Sequence, residues 1–453
     1  MTERDPSKRL AELRDLVTRL PRPARIKEHM AAFHAELTEP PEPTSGIRGP
    51  RALPTGLRRW PRRQSEAARR PAARDAVSHA REQLIELRHI DDGPVRRDLI
   101  RSIFDAMHPL DAERLAHDHA DDVANLPGVP MSLRATANRS IIERCYEHAI
   151  SDLRFAERQL ELARERVGVV PATGRLKRNP LTPYVDRVKR ATGDVASLAQ
   201  FRTPHVDADG VEHQRQYLGI IPSSRFSSGR VVEVFGDLAR ATHVLIVVPG
   251  VGNTYHDFRE TRGKSETIAR HIASTTRDAN VAVIEWMGYE VPGWARAALA
   301  HPAVNGGREL CAFVETLDIP ASADVTALGH SYGSVLLSEA LRSGLRLDRA
   351  IFTGSPGVHA ERVDDFGMHG KHVFALAASG DLIPRLHWHG KNPAGEPFGA
   401  VRLATDGTGH ASYFKPGSLS LHNVAHVVLG RFDELVHAPT VTRSNAPDLS
   451  LEH

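Results

Sequence analysis

Cysteine is scarce in this chain: 453 residues hold two, Cys145 and Cys311, far apart in sequence. No disulfide framework can be built from them, so a packed core has to hold the fold. Both lie among apolar neighbours in segments of helical pattern and read as buried free thiols. An excess of one charge is missing too: 59 Lys and Arg against 56 Asp and Glu leave a net +3. A nucleic-acid binder carries a basic face, so no nucleic-acid partner is expected. No stretch nears the ~18 consecutive apolar residues of a membrane-crossing helix, so no transmembrane segment is expected. The opening MTERDPSKRLAELRDL is charged and has no signal-type apolar run, which reads as a cytoplasmic protein.

What is present is 41% hydrophobic residues, over a length that exceeds one compact core. Two patterns divide it. Residues 1–40 read as N-terminal helices, with Leu10, Leu13, Leu16, Val17 and Leu20 at helical spacing. Residues 41–75 read as a Pro/Arg-rich linker: nine arginines fall between Arg48 and Arg74 against one acid, Glu66. Residues 76–205 form a helical domain in this reading. Val77, Ala80, Leu84 and Leu87 share one face, Val95, Leu99, Ile103 and Phe104 another, and a long helix runs from about Ser132 to Arg166. From 206 to 435 short apolar runs alternate with helical stretches. They are QYLGII, VVEVF, HVLIVVPG, NVAVIEW, ADVTALGH, RAIFTGS, KHVFALAA and GAVRLAT. Runs apolar throughout mean burial on both faces, the mark of a mostly parallel sheet flanked by helices. Residues 436–453 remain as a tail.

The fifth run leads straight into Gly329-His330-Ser331-Tyr332-Gly333 and then a helical segment. A G-x-S-x-G at a strand-to-helix turn lifts a serine hydroxyl above the sheet, with the helix N-terminus facing any oxyanion that forms there. In an α/β-hydrolase fold the acid and base follow along the chain. Asp381 follows the seventh run in SGDLIP, and His410 follows the eighth in DGTGH. Asp364, Asp365 and Asp406 are the rival acids. Ser331 is thus the expected nucleophile, Asp381 the acid and His410 the base. The expected oxyanion donors are the N–H groups of Tyr332 and, from PGVGN after the third run, Val251, with Gly252 as second choice. Gly250, His330, Tyr289 and Trp294 are the expected pocket residues. The His387/His389 pair lacks a third ligand nearby, and neither metal nor cofactor is expected.

Beyond the triad, several segments resemble the actinobacterial α/β-hydrolase family of unknown function. They are DDVANLPGVPMSLRATANR, VVPGVGNT, IEWMGYEVPG, GHSYGS, GSPGV, SGDLIP and FGAVRLATDGTGHASYF, spread over roughly residues 110–430. The resemblance implies a Ser-Asp-His hydrolase domain preceded by helices, and carries those roles onto Ser331, Asp381 and His410. It supplies no substrate. The short interval from Pro356 to Gly370 leaves no room for a large cap after the sixth run. The loop after NVAVIEW and the N-terminal helices are the remaining candidates to cover the serine. The expectation is a serine hydrolase acting on a small ester, thioester or amide. An acyltransferase and a non-catalytic binding protein on the same scaffold are the alternatives.

Overall fold

Sheet strands that are apolar throughout must be roofed on both sides, and the chain supplies the roofing helices between them. The computed structural model describes residues 66–90, 93–167, 180–206, 210–222, 228–276, 278–293 and 296–439. Among these residues six α-helices come first: α1 Glu66–Glu86, α2 Pro94–Ala106, α3 Pro109–Asp118, α4 Ala120–Val123, α5 Met131–Val167 and α6 Thr182–Arg202. A two-residue ribbon, His205–Val206 with Glu212–His213, leads to the main sheet.

That sheet has eight strands: β1 Gln216–Ile221, β2 Arg230–Phe235, β3 His243–Val248, β4 Val281–Met287, β5 Asp324–His330, β6 Arg349–Thr353, β7 Val373–Leu376 and β8 Val401–Leu403. Their spatial order is β8-β7-β6-β5-β3-β4-β2-β1. β2 runs antiparallel to both of its neighbours, and every other pairing is parallel. The helices between the strands are α7 Phe258–Thr275, α8 His301–Glu315 and α9 Tyr332–Arg342, and α10 Leu419–Val428 follows the last strand. One face packs on α7 and α10 around Ile268, Ile272, Leu421 and Val424. The other packs on α8 and α9, and this apolar cluster continues unbroken into α1–α6.

The helical stretch is therefore joined to the sheet by a common core, and the compositional boundary at 205/206 marks a change of secondary structure. Arg134 of α5 shows how tight the joint is. Only 5% exposed, it donates to Leu218 O of β1 at 2.8 Å and to Thr316 Oγ1 beyond α8 at 3.1 Å. Burial pulls its guanidinium down to about 10, which still leaves it charged at neutral pH.

All eight strands lie where the apolar runs are, and α5 matches the expected long helix within a residue at each end. Other expectations need correction. α1 begins at Glu66, inside the stretch read as linker, because Ala and Arg there are good helix formers. On α2 the buried pair is Ile100 and Phe104, at i and i+4, while Val95 and Leu99 are exposed. Both cysteines are half-buried rather than buried. The tail is not wholly separate, since Val436 and Ala438 hydrogen-bond along the edge of β8. The expected helices of residues 1–40 and most of the linker lie outside the described residues. Among the described residues, no helix is long and apolar enough to cross a membrane.

Candidate active site

β5 ends at His330, α9 begins at Tyr332, and Ser331 alone makes the turn. Its backbone sits at φ 55°, ψ −127°, a conformation that costs a non-glycine residue on the order of 1–3 kcal/mol and persists only where the surroundings enforce it. They do. Ser331 N donates to Thr353 O at 2.9 Å, and the Ser334 hydroxyl bridges Ser331 O at 2.5 Å and Ser355 Oγ at 2.7 Å. Gly333 has to be glycine here: a Cβ would stand 2.1 Å from Val248 O. Ser331 itself is 6% exposed.

His410 follows β8, and Asp381 follows β7. The His410 ring donates from Nδ1 to Asp381 Oδ2 at 2.8 Å. That bond leaves Nε2 as the acceptor nitrogen, the form a general base requires. The other Asp381 oxygen accepts from Ile383 N at 2.9 Å, and the Tyr413 hydroxyl donates to Oδ2 at 2.8 Å while accepting from Ala378 N. Burial pushes the Asp381 carboxyl up, but the His410, Ile383 and Tyr413 bonds outweigh it and hold the group below the usual carboxylate range. His330 backs the base. Its ring stacks on His410 at 4.8 Å and its Nε2 donates to His410 O at 3.0 Å. Burial, then the nearby His410 and the Lys264 charge, hold His330 well below its ordinary value, so it stacks as a neutral ring. No hydrogen bond links Ser331 Oγ to the His410 ring in this structure. His330, which precedes Ser331 in the chain, is the residue in contact with His410.

The loop after β3 closes over the serine. A Cβ on Gly250 would lie 2.8 Å from Ser331 Cβ and 3.2 Å from its Oγ, so the backbone there passes at contact distance. Asn253 braces the loop by donating to Gly250 O at 2.8 Å and accepting from Thr261 Oγ1 at 3.0 Å. The two candidate donors of this loop differ. Gly252 N donates to Pro292 O at 3.4 Å. The N–H groups of Val251 and Tyr332 have no protein acceptor among the described residues.

Residues 226–388 match the model of a family described as alpha/beta hydrolase. The sheet and its flanking helices have the α/β-hydrolase fold. An uncharacterized protein of Mycobacterium tuberculosis (strain ATCC 25618 / H37Rv) is 26% identical over 386 residues, 71% of this chain and 54% of that protein. One of Mycobacterium bovis is 28% identical over 210 residues, 42% of this chain and 76% of that protein. The chain thus spans about half the length of the first of these relatives. Among solved structures, Est1E from Butyrivibrio proteoclasticus is similar at 12% identity and a TM-score of 0.31, over 49% of this chain and 98% of that one. An arylesterase is similar at 9% identity and 0.30, over 55% and 91%.

Two of the rival acids have other work. Asp365 accepts from Glu361 N and Arg362 N, and Asp406 caps α10 at Leu419 N. Of the expected pocket residues, Gly250 and His330 touch the serine and the base. Tyr289 does not form an open wall: it is fully buried, stacks on Trp286 at 5.8 Å, and points its hydroxyl at Pro249 O, 3.4 Å away. Trp294 lies outside the described residues. The His387/His389 loop is not simply polar surface. His389 is 3% exposed, its Nε2 lies 2.8 Å from Ala297 O, and its Nδ1 lies 3.3 Å from His359. No group of residues suited to a metal occurs among the described residues. The residue that sequence reasoning missed is Tyr413, three positions after the base. One tyrosine in a loop gives no signal until Asp381 is seen beside it.

Proposed function

We propose that this protein is a serine hydrolase that cleaves a small ester, thioester or amide through an acyl-enzyme on Ser331. The observation that carries the reading is the Asp381–His410 couple, packed on His330, the residue before a serine on a strained turn. In the proposed cycle His410 Nε2 takes the Ser331 proton as Oγ attacks the carbonyl carbon. Asp381 keeps the ring in the required tautomer and stabilises the imidazolium. The N–H groups of Val251 and Tyr332 receive the oxyanion, a contribution of about 3 kcal/mol for one donor in such sites. The imidazolium then protonates the leaving group, and water attacks the acyl-enzyme with His410 again as base.

A fluorophosphonate probe tests the nucleophile directly. It should label the wild-type chain and spare Ser331→Ala, and equal labelling of the two would end the proposal. Tyr413→Phe tests the support of the acid. Asp381 loses one of its donors while the His410 bond remains, so kcat should fall about tenfold with KM unchanged. Steady-state kinetics on an aryl ester would show it; an unchanged kcat would reduce Tyr413 to packing.

A further inference from the structure

A cleft of about 600 Å³ opens between α5, α6 and the segment that follows the oxyanion loop. That volume lies within the range of small-molecule sites. Its position ties it to the serine. Pro222, just past the end of β1, lines it, and β1 runs the same way as β4, so the cleft sits at the carboxyl end of the sheet with Ser331. Tyr255, also in its wall, lies five residues beyond Gly250, a reach of at most roughly 17 Å.

The walls are built, not accidental. Gln200 Nε2 holds the carbonyls of Tyr255 and His256 at 3.1 and 3.3 Å. Tyr255 N donates to Ser228 O at 2.9 Å, its ring packs on Phe201 at 4.7 Å, and His256 Nδ1 meets Ser197 Oγ at 2.7 Å. Within this frame one group is left over. Tyr255 is 2% exposed, yet among the described residues its hydroxyl has no hydrogen-bond partner. A buried unpaired hydroxyl costs on the order of 1–3 kcal/mol, and an acceptor on a ligand would remove that cost. Burial, reinforced by Cys145 and Asp194, raises the phenol, so it remains a donor.

The charges at the mouth point to the sign of the ligand. Arg144 is already held by Asp121 through contacts of 2.7 and 2.8 Å. Asp152 and Asp194 face the cleft from the two helices, and among the described residues neither has an ion-pair or hydrogen-bond partner. Between mouth and floor lie Ala149, Ala191 and Leu198. We infer that this cleft binds an organic cation: a basic nitrogen between Asp152 and Asp194, an apolar body along Ala149, Ala191 and Leu198, and a carbonyl or ether oxygen at Tyr255. In its fuller form, which rests on the serine-hydrolase reading, the cation is the remote end of the substrate, so the enzyme prefers acyl groups that carry an amine.

The test has two arms on the full chain. In the first, calorimetry compares N-benzyl-6-aminohexanamide with neutral N-benzylhexanamide, using Ser331→Ala protein so that nothing is turned over. The amine should bind about tenfold tighter, a margin two exposed ion pairs can supply. The pair Asp152→Asn and Asp194→Asn should erase that margin, and Tyr255→Phe should weaken both compounds several-fold. No margin, or one that survives the asparagine pair, overturns the site. The second arm compares kcat/KM for the p-nitrophenyl esters of 6-aminohexanoate and hexanoate on wild type. A preference for the amine that the asparagine pair removes supports the substrate form. Binding of the amine without that preference overturns the substrate form and supports a free cationic ligand. Binding without any ester turnover supports the site while counting against the hydrolase reading.

Discussion

His410→Ala should lower kcat on an activated ester about a millionfold, while the folded protein loses little stability. The asymmetry follows from the structure. The ring side chain is 28% exposed, so its removal leaves no large cavity, and Asp381 keeps the donors Ile383 N and Tyr413 Oη. Chemistry should lose far more, because in the proposed cycle His410 is the group that takes the serine proton. His330, the nearest ring, commits its Nε2 to the His410 carbonyl and is held neutral by burial. Asp381→Asn should cost less, about 10⁴-fold, since the base survives but can turn to the wrong tautomer. Ser331→Ala should match His410→Ala, and the double variant should be no worse than either, because the residues act as a unit. Single-turnover kinetics, with circular dichroism to check folding, would test all three. A loss of under tenfold in His410→Ala would mean that the base lies elsewhere.

Glu285→Gln should stabilise the protein at neutral pH by up to about 3 kcal/mol. Glu285 lies on β4, wholly buried and directly across from Glu233 on β2. The two carboxyls have opposite fates. Glu233 takes Arg215 and Arg262, each at 2.7 Å. Among the described residues Glu285 bonds only the Ser265 hydroxyl, at 2.5 Å, and its Oε1 has no partner. Burial pushes it up to about 8, with Ser265 and Lys264 opposing and Glu233 adding to the rise. The folded state therefore keeps a proton that the unfolded chain gives up near its ordinary value of 4.5. Between those two values the folded state binds more protons, so stability falls as pH rises through the window. Glutamine does not titrate and should flatten that slope. The amide N–H left facing the unpartnered position offsets part of the gain, so the slope is the sharper readout. Urea unfolding at pH 5, 6, 7 and 8 would give it, and parallel slopes for the two proteins would refute the assignment.

Much of this was legible in the chain because the physics was local. An apolar run bounded by turn residues marks a buried strand, and all eight runs are strands of the sheet. Ser331, Asp381 and His410 were legible by position, each just past a strand end, and the structure places Asp381 and His410 in contact. What failed was non-local. α6 was not singled out, since its amphipathic pattern is weak and its burial comes from α5. The face of α2 was mistaken because spacing alone does not tell Leu99 from Ile100, and contact with the other helices decides it. Tyr413, Tyr255 and Glu285 carry no signal in sequence. Each matters through one neighbour far along the chain.

The common core of the helices and the sheet limits how this molecule can be divided. Cutting at residue 205 would strip α5 from β1, exposing Leu218 and Ile220 and leaving the Leu218 carbonyl without Arg134. Residues 206–439 would then be a sheet with an uncovered flank, prone to aggregate rather than to work as a minimal enzyme. The helices are not a detachable module that can be exchanged among hydrolases like a bolted-on lid. In engineering or in evolution, a change on the outward side of these helices has to be made residue by residue, because their other side is already holding up the sheet.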